Sequence, residues 1–462
     1  MTELASSYDF VVIGGGPAGL AAASLAARAG LSTVLFDENP GIGGQIYRGI
    51  TATPVTDRAV LGEDYWAGAV LAAEARASGA LIVTGATVWS LDPSLQVGVS
   101  IEGRARLIQA RRVIVATGSL ERPFPIPGWT LPGVMTAGAA QTALKAQGLV
   151  PEGRTIMAGA GPLLWLLAAQ LLRAGARIEA ILDTAPRINW LRAAMHLPDF
   201  VLSSYWSKGL ALLREVKAKV PVIRTSEIAA LGDGQLREVA FDGRRRPADL
   251  LLLHQGVVPN VNLAMAAGVE HRWNPRQLCF EPVLDQDFAS SVGGIAVAGD
   301  GAGIAGGTAA AERGRIAAIA AVRALKPGAA VPDPQGARQA LQREEMGRAF
   351  LDALYRPAET LRQPVGDTLA CRCEEVTAAE VRRMARIGCE GPNQMKAFLR
   401  CGMGPCQGRL CGLTITELIV VERGTAPDDV GYYRLRPPVK PITLGELASL
   451  PIAEAERKAV ER

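Results

Sequence analysis

Two stretches of this chain repeat one pattern that few folds can accommodate. "YDFVVIGGGPAGLAAASLAARAGLSTVLFDEN" (8–39) runs a β-branched segment into Gly14-x-Gly16-x-x-Gly19. An alanine-rich helix to about Ala29 follows, and then a second apolar strand ending at Asp37. Continuous apolar strands joined by a helix read as a buried parallel βαβ unit. Gly14 makes the tight turn, Gly16 admits a pyrophosphate to the backbone, and Gly19 brings helix and strand together; Pro17 and Ala18 lead into the helix. The unpaired N–H groups at the helix start favour phosphate. Asp37, 37 − 14 = 23 positions past the first glycine, is placed to accept hydrogen bonds from ribose hydroxyls, and Glu38 beside it is the alternative.

The second copy, "GRTIMAGAGPLLWLLAAQLLRAGARIEAILDTAP" (153–186), has Gly159-x-Gly161 and an acid at Asp183. Its third glycine position is Leu164. A bulky residue there should disturb the phosphate site, so two expectations stand together. One is an adenine nucleotide, NAD or ATP, held by Gly159, Gly161 and Asp183; the other is a scaffold without ligand. "LLLHQGVVPN" (251–260) reads as a strand entering the interdomain connection, with His254 buried and structural. "FDGRRRPADL" (241–250) reads as a hairpin. The aromatic-rich helical stretch 189–219 reads as core or a flap, with a subunit contact as the alternative.

The 462 residues allow two to four cores. A net charge of +4 argues against nucleic acid or an anionic membrane as main partner. The start "MTELASSYDFVVIGGG" lacks a secretory pattern. The longest helix-like apolar run, from Pro162, stops at Gly175, short of the roughly 20 residues of a membrane span. The expected location is therefore cytoplasmic, with peripheral attachment to the inner membrane as a further option.

Every cysteine but Cys279 falls between positions 371 and 411. In a reducing compartment such clustering points to metal ligands rather than disulfides. Paired thiolates suit zinc or an iron–sulfur cluster. Cys371-x-Cys373 is tight for one tetrahedral ion, but its thiolates can share one iron of a two-iron cluster. Cys389 and Cys279 read as packed thiols. The first 278 residues hold no cysteine, which excludes a dithiol in that part of the chain.

With "GIGGQIYR" (41–48), "RRVIVATGSLERPFPIPG" (111–128) and "GGIAVAGDGAGIAGG" (293–307), the chain resembles the glutathione-reductase-like flavoproteins, α/β proteins with two Rossmann units. The resemblance implies FAD against Gly43, Gly44, Gln45 and Arg48, with Thr117 and Gly118 along the adenylate half and Asp300 on the ribityl chain. A helix-capping role is the alternative for Asp300. The cysteine pattern resembles the small helical 2Fe–2S domain of bacterioferritin-associated ferredoxin. It departs from that pattern in having four residues, not two, between the last pair; the resemblance implies Cys371, Cys373, Cys406 and Cys411 as the ligands, with Cys401 as substitute.

The implied layout is a discontinuous FAD domain (1–150 and 266–330) with an inserted NAD(P)-type domain (151–265). A helical linker (331–362), a 2Fe–2S domain (363–425) and a tail (426–462) follow. Together with "HQGVVPN", "RCGMGPCQGR" and "YYRLRPPVKPITLGEL", these units resemble the large subunits of dye-linked amino-acid and opine dehydrogenases. That family implies an electron-relaying subunit of a dehydrogenase acting on CH–NH donors. Its partner is a flavin subunit resembling D-amino-acid oxidase; further members are a small ferredoxin-like protein and an FMN at a subunit boundary. A self-contained NADH-dependent reductase and a non-catalytic cofactor scaffold are the alternatives.

Overall fold

The computed structural model describes residues 4–451. The strand Ser7–Ile13 pairs in parallel with Thr33–Asp37 on one side and Arg104–Val115 on the other. Its alternate side chains enter two different cores: Phe10 and Val12 pack on one face, Val11 and Ile13 on the other. A strand covered on both faces must be apolar throughout, which is why "FVVI" shows no polar alternation. Leu81–Thr84 extends the sheet beyond Thr33–Asp37, and Ala86–Leu91 and Gln96–Ile101 add an antiparallel meander. The last strand comes from far along the chain: Ile295–Val297 pairs with Val113–Val115.

The second sheet is parallel, in the order Val222–Arg224, Ile178–Asp183, Thr155–Gly159, Leu250–His254, Val134–Thr136. Its last strand lies inside the stretch expected to serve the first unit, so the chain enters the second sheet before residue 150. Pairing with Val134–Thr136 covers the backbone edge that Leu250–His254 would otherwise expose. The basic hairpin forms, with Glu238–Phe241 and Arg244–Pro247 turning at Asp242–Gly243.

Residues 331–362, the expected helical linker, are packed against both neighbours. They fold into the helices Pro334–Glu345, Arg348–Leu354 and Glu359–Arg362. Glu345 pairs with Arg313 at 2.6 Å, and Arg362 pairs with Glu417 where both side chains are buried. An ion pair at that depth resists separation, because either charge alone would be stranded away from water. The cysteine unit is helical: Ala378–Arg386, capped by a reciprocal Thr377–Glu380 box, then Pro392–Leu399 and Gly412–Arg423. The expected tail is also anchored. Tyr433 and Leu435 sit in the cysteine unit's core, Val439 in the core of the first sheet, and Lys440 meets Glu38 at 2.6 Å. Residues 452–462 of that segment lie outside the described residues. No helix among the described residues is long and apolar enough to cross a membrane.

His271 carries an acid-sensitive term. Its Nδ1 donates to the Val269 carbonyl at 2.8 Å, while Nε2 is buried without a partner. Burial lowers its pKa from 6.5 to about 4. Between those values the unfolded chain takes up a proton that the folded chain refuses, so stability falls as pH drops through that window. His271→Gln should therefore lose less melting temperature than the parent between neutral pH and pH ~4.5. Equal losses in calorimetry would assign the acid sensitivity elsewhere.

Candidate cofactor sites

The first glycine loop is built by close approach. Gly14 has φ +109°, and a Cβ there would stand 2.4 Å from the Ala116 carbonyl oxygen. A Cβ on Gly19 would stand 1.8 Å from the Gly14 carbonyl oxygen. Asp37 is buried at the head of this loop. Its Oδ2 accepts from the Gly15 amide at 2.6 Å, and its Oδ1 accepts from the Asn39 amide and Nδ2 at 2.8 and 2.9 Å. Glu38 instead takes Lys440, so the structure favours Asp37 as the fixed carboxylate of the loop.

The Gly43–Gly44 turn packs on the same loop, with the Gly43 amide donating to the Gly15 carbonyl at 2.8 Å. Arg48 is buried close to the charges of Asp37 and Glu38, yet its Nε has no partner. Gln45 accepts from Thr142 at 3.2 Å, and Lys145 Nζ donates to the carbonyls of Gln45 and Ile46 at 3.3 and 2.9 Å. Burial, helped by nearby Arg48, lowers the Lys145 pKa to about 7.

Thr117 and Gly118 are tied to the connecting segment: Thr117 Oγ1 donates to the Asn260 carbonyl at 3.3 Å, and the Asn260 amide to the Gly118 carbonyl at 2.9 Å. Asp300 Oδ1 accepts from the amides of Ala305 and Gly306, each at 3.0 Å. Its Oδ2 accepts nothing among the described residues. Asp300 thus shapes the loop ahead of the helix Gly307–Leu325 without capping it; the cap is Gly306, which offers no side chain. Helix Pro17–Arg28 likewise starts without a side-chain cap. Two bare helix starts, a free carboxylate oxygen and an orphaned guanidinium nitrogen are groups that an extended, phosphate-bearing dinucleotide can satisfy.

At the second loop several side chains are already spent on one another, although helix Pro162–Arg173 also starts without a side-chain cap. A Cβ on Gly159 would meet the His254 carbonyl oxygen at 1.5 Å, and one on Gly161 would stand 3.0 Å from His254 Nε2. His254 is buried, and its Nδ1 lies 2.7 Å from Glu121 Oε1; Glu121 Oε2 accepts from the Gly138 amide at 2.9 Å. The imidazole thus pins the strand to the start of helix Ala137–Gln147. Leu164 is wholly buried in the shared core. Asp183 accepts from the Ala185 amide at 3.0 Å and lies 3.7 Å from Arg224. We expect NADH added anaerobically to the isolated chain to leave its flavin absorbance unbleached within seconds; rapid bleaching would establish the second loop as a working NADH site.

The cysteines converge. Among the described residues no three Cys, His, Asp or Glu side chains ring a single point closely enough for one metal ion. The thiols instead contact in series, Cys401–Cys371–Cys411–Cys406–Cys373. Hydrogen bonds from Cys401 and Cys411, then from the Gly402 and Glu374 amides, lower the Cys371 pKa to about 2. Contacts with Cys411, then the Leu410 and Gly408 amides and Cys373, lower that of Cys406 to about 5. Cys411 is pushed the other way by the same neighbours and by burial. Thiols and backbone amides thus gather around Cys371 and Cys406.

Two residues that sequence pattern alone does not single out close the site. Tyr433 Oη lies 3.6 Å from Cys411 Sγ, and its ring fills the space a Cβ on Gly402 or Gly408 would need. Tyr432 donates to the Gly408 carbonyl at 3.3 Å. Their only sequence signal is adjacent tyrosines in a chain with 5% aromatics. Cys389 and Cys279 are buried thiols outside the series. Helix Asn262–Ala266 packs in the core of the first sheet through Leu263 and Ala264, so the first unit resumes before the expected residue 266. The cysteine unit docks on it there: Asn262 Nδ2 donates to the Gln407 carbonyl, next to Cys406, at 3.0 Å, and Phe280, Leu413 and Tyr432 pack at the seam.

The chain is 47% identical to an opine oxidase subunit of Agrobacterium tumefaciens (strain Ach5), over 99% of its own length and 95% of the relative's. It belongs to that family of opine oxidase subunits. Residues 8–323 also match the pyridine nucleotide-disulphide oxidoreductase family, and residues 368–450 the sarcosine oxidase A3 domain. Hydrogen cyanide synthase subunit HcnB of Pseudomonas aeruginosa is 34% identical across 95% of this chain and 98% of that protein. The solved L-proline dehydrogenase from P. horikoshii superposes with a TM-score of 0.73 at 19% identity, over 96% of this chain and 79% of that one, a likeness of fold. Membership of this family makes the chain an oxidoreductase subunit with a mixed α/β, Rossmann-type architecture.

Proposed function

We propose that this chain is the electron-transferring subunit of a multi-subunit amino-acid or opine dehydrogenase. On this reading FAD lies along the first glycine loop and a 2Fe–2S cluster is held by Cys371, Cys373, Cys406 and Cys411. The observation that carries the reading is the direct docking of the thiol site on the unit with the glycine loop, through Asn262 and Gln407. When bound, FAD takes electrons in pairs and the cluster passes them one at a time.

The chain's own residues supply the holding and the shielding. Asp37 and Arg48 serve the adenylate half, Asp300 the ribityl hydroxyls, and the bare start of helix Gly307–Leu325 the electron-rich end of the flavin. Tyr432 and Tyr433 cover Cys411 and the Gly402 and Gly408 turns while Cys373 and Cys406 stay partly open to solvent, and the amides of Gly402, Glu374, Gly408 and Leu410 steady the thiolate charge. Nothing around the first loop supplies a dithiol, because the first cysteine in the chain is Cys279. That excludes disulfide reduction at this site; on this reading oxidation of the C–N bond falls to a partner, a flavin subunit resembling D-amino-acid oxidase. A small ferredoxin-like protein and an interfacial FMN complete the assembly, which works in the cytoplasm and delivers electrons to an acceptor other than oxygen.

The test is spectroscopic. The complex, purified without oxygen, should show flavin and iron–sulfur absorbance. A substrate amino acid or opine should bleach the flavin bands and raise an EPR signal from the reduced cluster. A colourless chain, or one whose cysteines carry only zinc, would overturn the proposal.

A further inference from the structure

The stretch 189–219, which reads in sequence as core or a flap with a subunit contact as the alternative, is largely at the surface over its first part. Between Ile188 and Trp206 eight large apolar side chains stand exposed, among them Leu191 at 73%, Met195 at 78% and Leu202 at 78%. They sit on the short helices Asn189–Ala194 and Leu197–Leu202 and the start of Ser204–Lys217. An aromatic row makes the patch continuous: Trp190 packs on Phe350, Phe350 stacks on Phe200 at 4.0 Å, and Phe200 meets Trp206 edge-on at 5.9 Å. The middle of the row is buried and its two tryptophan ends are open. From the fractional exposures, the eight side chains present on the order of 900 Å², more than the ~300–600 Å² largest patch of ordinary monomers and close to the ~800 Å² per partner of a stable interface.

The patch runs up to the first cofactor site. Tyr205, beside Trp206, donates to the Ala305 carbonyl at 3.3 Å and the Glu344 carbonyl at 3.1 Å. Ala305 precedes Gly306, the bare cap of the helix that starts at that site. Arg187 and Arg192 are exposed at the patch edge, where Asp199 is the one exposed acid between Arg187 and Trp206. An apolar centre with a cationic rim is complementary to an apolar face edged by carboxylates.

We infer that this surface is the docking site for the substrate-oxidising flavin subunit, received through an apolar face with an acidic rim, which brings that subunit to the mouth of the first cofactor site. The inference rests on the reading of the chain as one member of a dehydrogenase complex. Two six-residue helices do not make the single long amphipathic helix of a lipid anchor. Relatives named as subunits of an oxidase or a synthase favour an unlike partner over a second copy.

The experiment uses the chain co-expressed with the amino-acid-oxidase-like flavin protein and purified through a tag on this chain. Leu191→Glu/Leu202→Glu and, separately, Met195→Glu should each reduce the co-purified partner at least tenfold, because each places charge in the desolvated centre. Leu444→Glu, at a position 85% exposed on another helix, should retain the partner at the parent level. The released double variant should sediment as a monomer with unchanged flavin and iron–sulfur absorbance. Three results would overturn the inference. One is full retention of the partner by both patch variants. Another is self-association of the parent chain that the double variant abolishes while the partner stays bound. The third is patch-dependent binding of the isolated chain to phosphatidylethanolamine/phosphatidylglycerol vesicles without loss of the partner. Failure of the relay reading would appear separately, as cofactors in the intact parent complex that substrate does not reduce.

Discussion

Cys371→Ser is expected to leave a folded, yellow protein that has lost the iron–sulfur EPR signal and passes electrons at less than a hundredth of the parent rate. Cys371 is an interior member of the thiol series, in contact with both Cys401 and Cys411, and those contacts favour its charged form. Loss of a supporting hydrogen bond around a metal site costs roughly 10–100-fold in affinity or activity, so loss of a ligand should exceed that. The flavin should stay because the first glycine loop shares no residue with the thiol series. Cys401→Ser makes the informative contrast. If Cys371, Cys373, Cys406 and Cys411 are the ligands, the serine at 401 leaves iron content at two per chain and changes only the line shape. Should Cys401→Ser empty the site while Cys411→Ser fills normally, the ligand set would have to be redrawn around Cys401. Iron and sulfide analysis beside EPR decides the matter.

Gly19→Ala should have the largest effect on flavin content. Its new methyl group would stand 1.8 Å from the Gly14 carbonyl oxygen, backbone that can yield only if helix and strand move apart. That movement would carry the helix start away from the phosphates and open the turn that Asp37 secures. A loss of at least ~3 kcal/mol in FAD binding follows, which is more than 100-fold in affinity at 1.36 kcal/mol per decade. Gly79→Ala is the control. That glycine also has positive φ, +87°, but nothing lies within 4 Å of a Cβ there. Its cost should be about 1 kcal/mol of stability with full flavin retained. Reconstitution of the stripped protein with FAD, followed by flavin fluorescence, measures both. Equal affinity in Gly19→Ala and the parent would remove the first glycine loop from the proposed site.

The glycine loop is legible in sequence because its geometry is local: three glycines, a strand and an acid fix the approach of backbone to phosphate within about thirty residues. The recurrence of that pattern also points to two parallel sheets. Val134–Thr136 does not read as an edge strand, because three residues carry no periodicity and its partner lies more than a hundred positions away. Tyr432 and Tyr433 escape sequence reading for the same reason: their packing against the cysteine loop is a tertiary contact. His254 shows its burial in the surrounding apolar run, but its hold on Glu121 does not show. The stretch 188–206 is apolar enough to suggest core, since composition measures the need for burial without saying which molecule supplies the cover.

The first sheet has a consequence for how the protein is made. Ile295–Val297 joins Val113–Val115 only after some 180 further residues have left the ribosome. At ~5–20 residues per second the wait is about 10–40 seconds. Meanwhile the second sheet, complete by His254, can fold, while one flank of the first stays open to chance strand pairing. Asp300 and the helix after Gly306 arrive with that last strand. If Asp300 and that helix hold the flavin as proposed, cofactor capture is a late act of biogenesis, and a truncated nascent chain ending before residue 295 should depend on chaperones that the finished protein can do without.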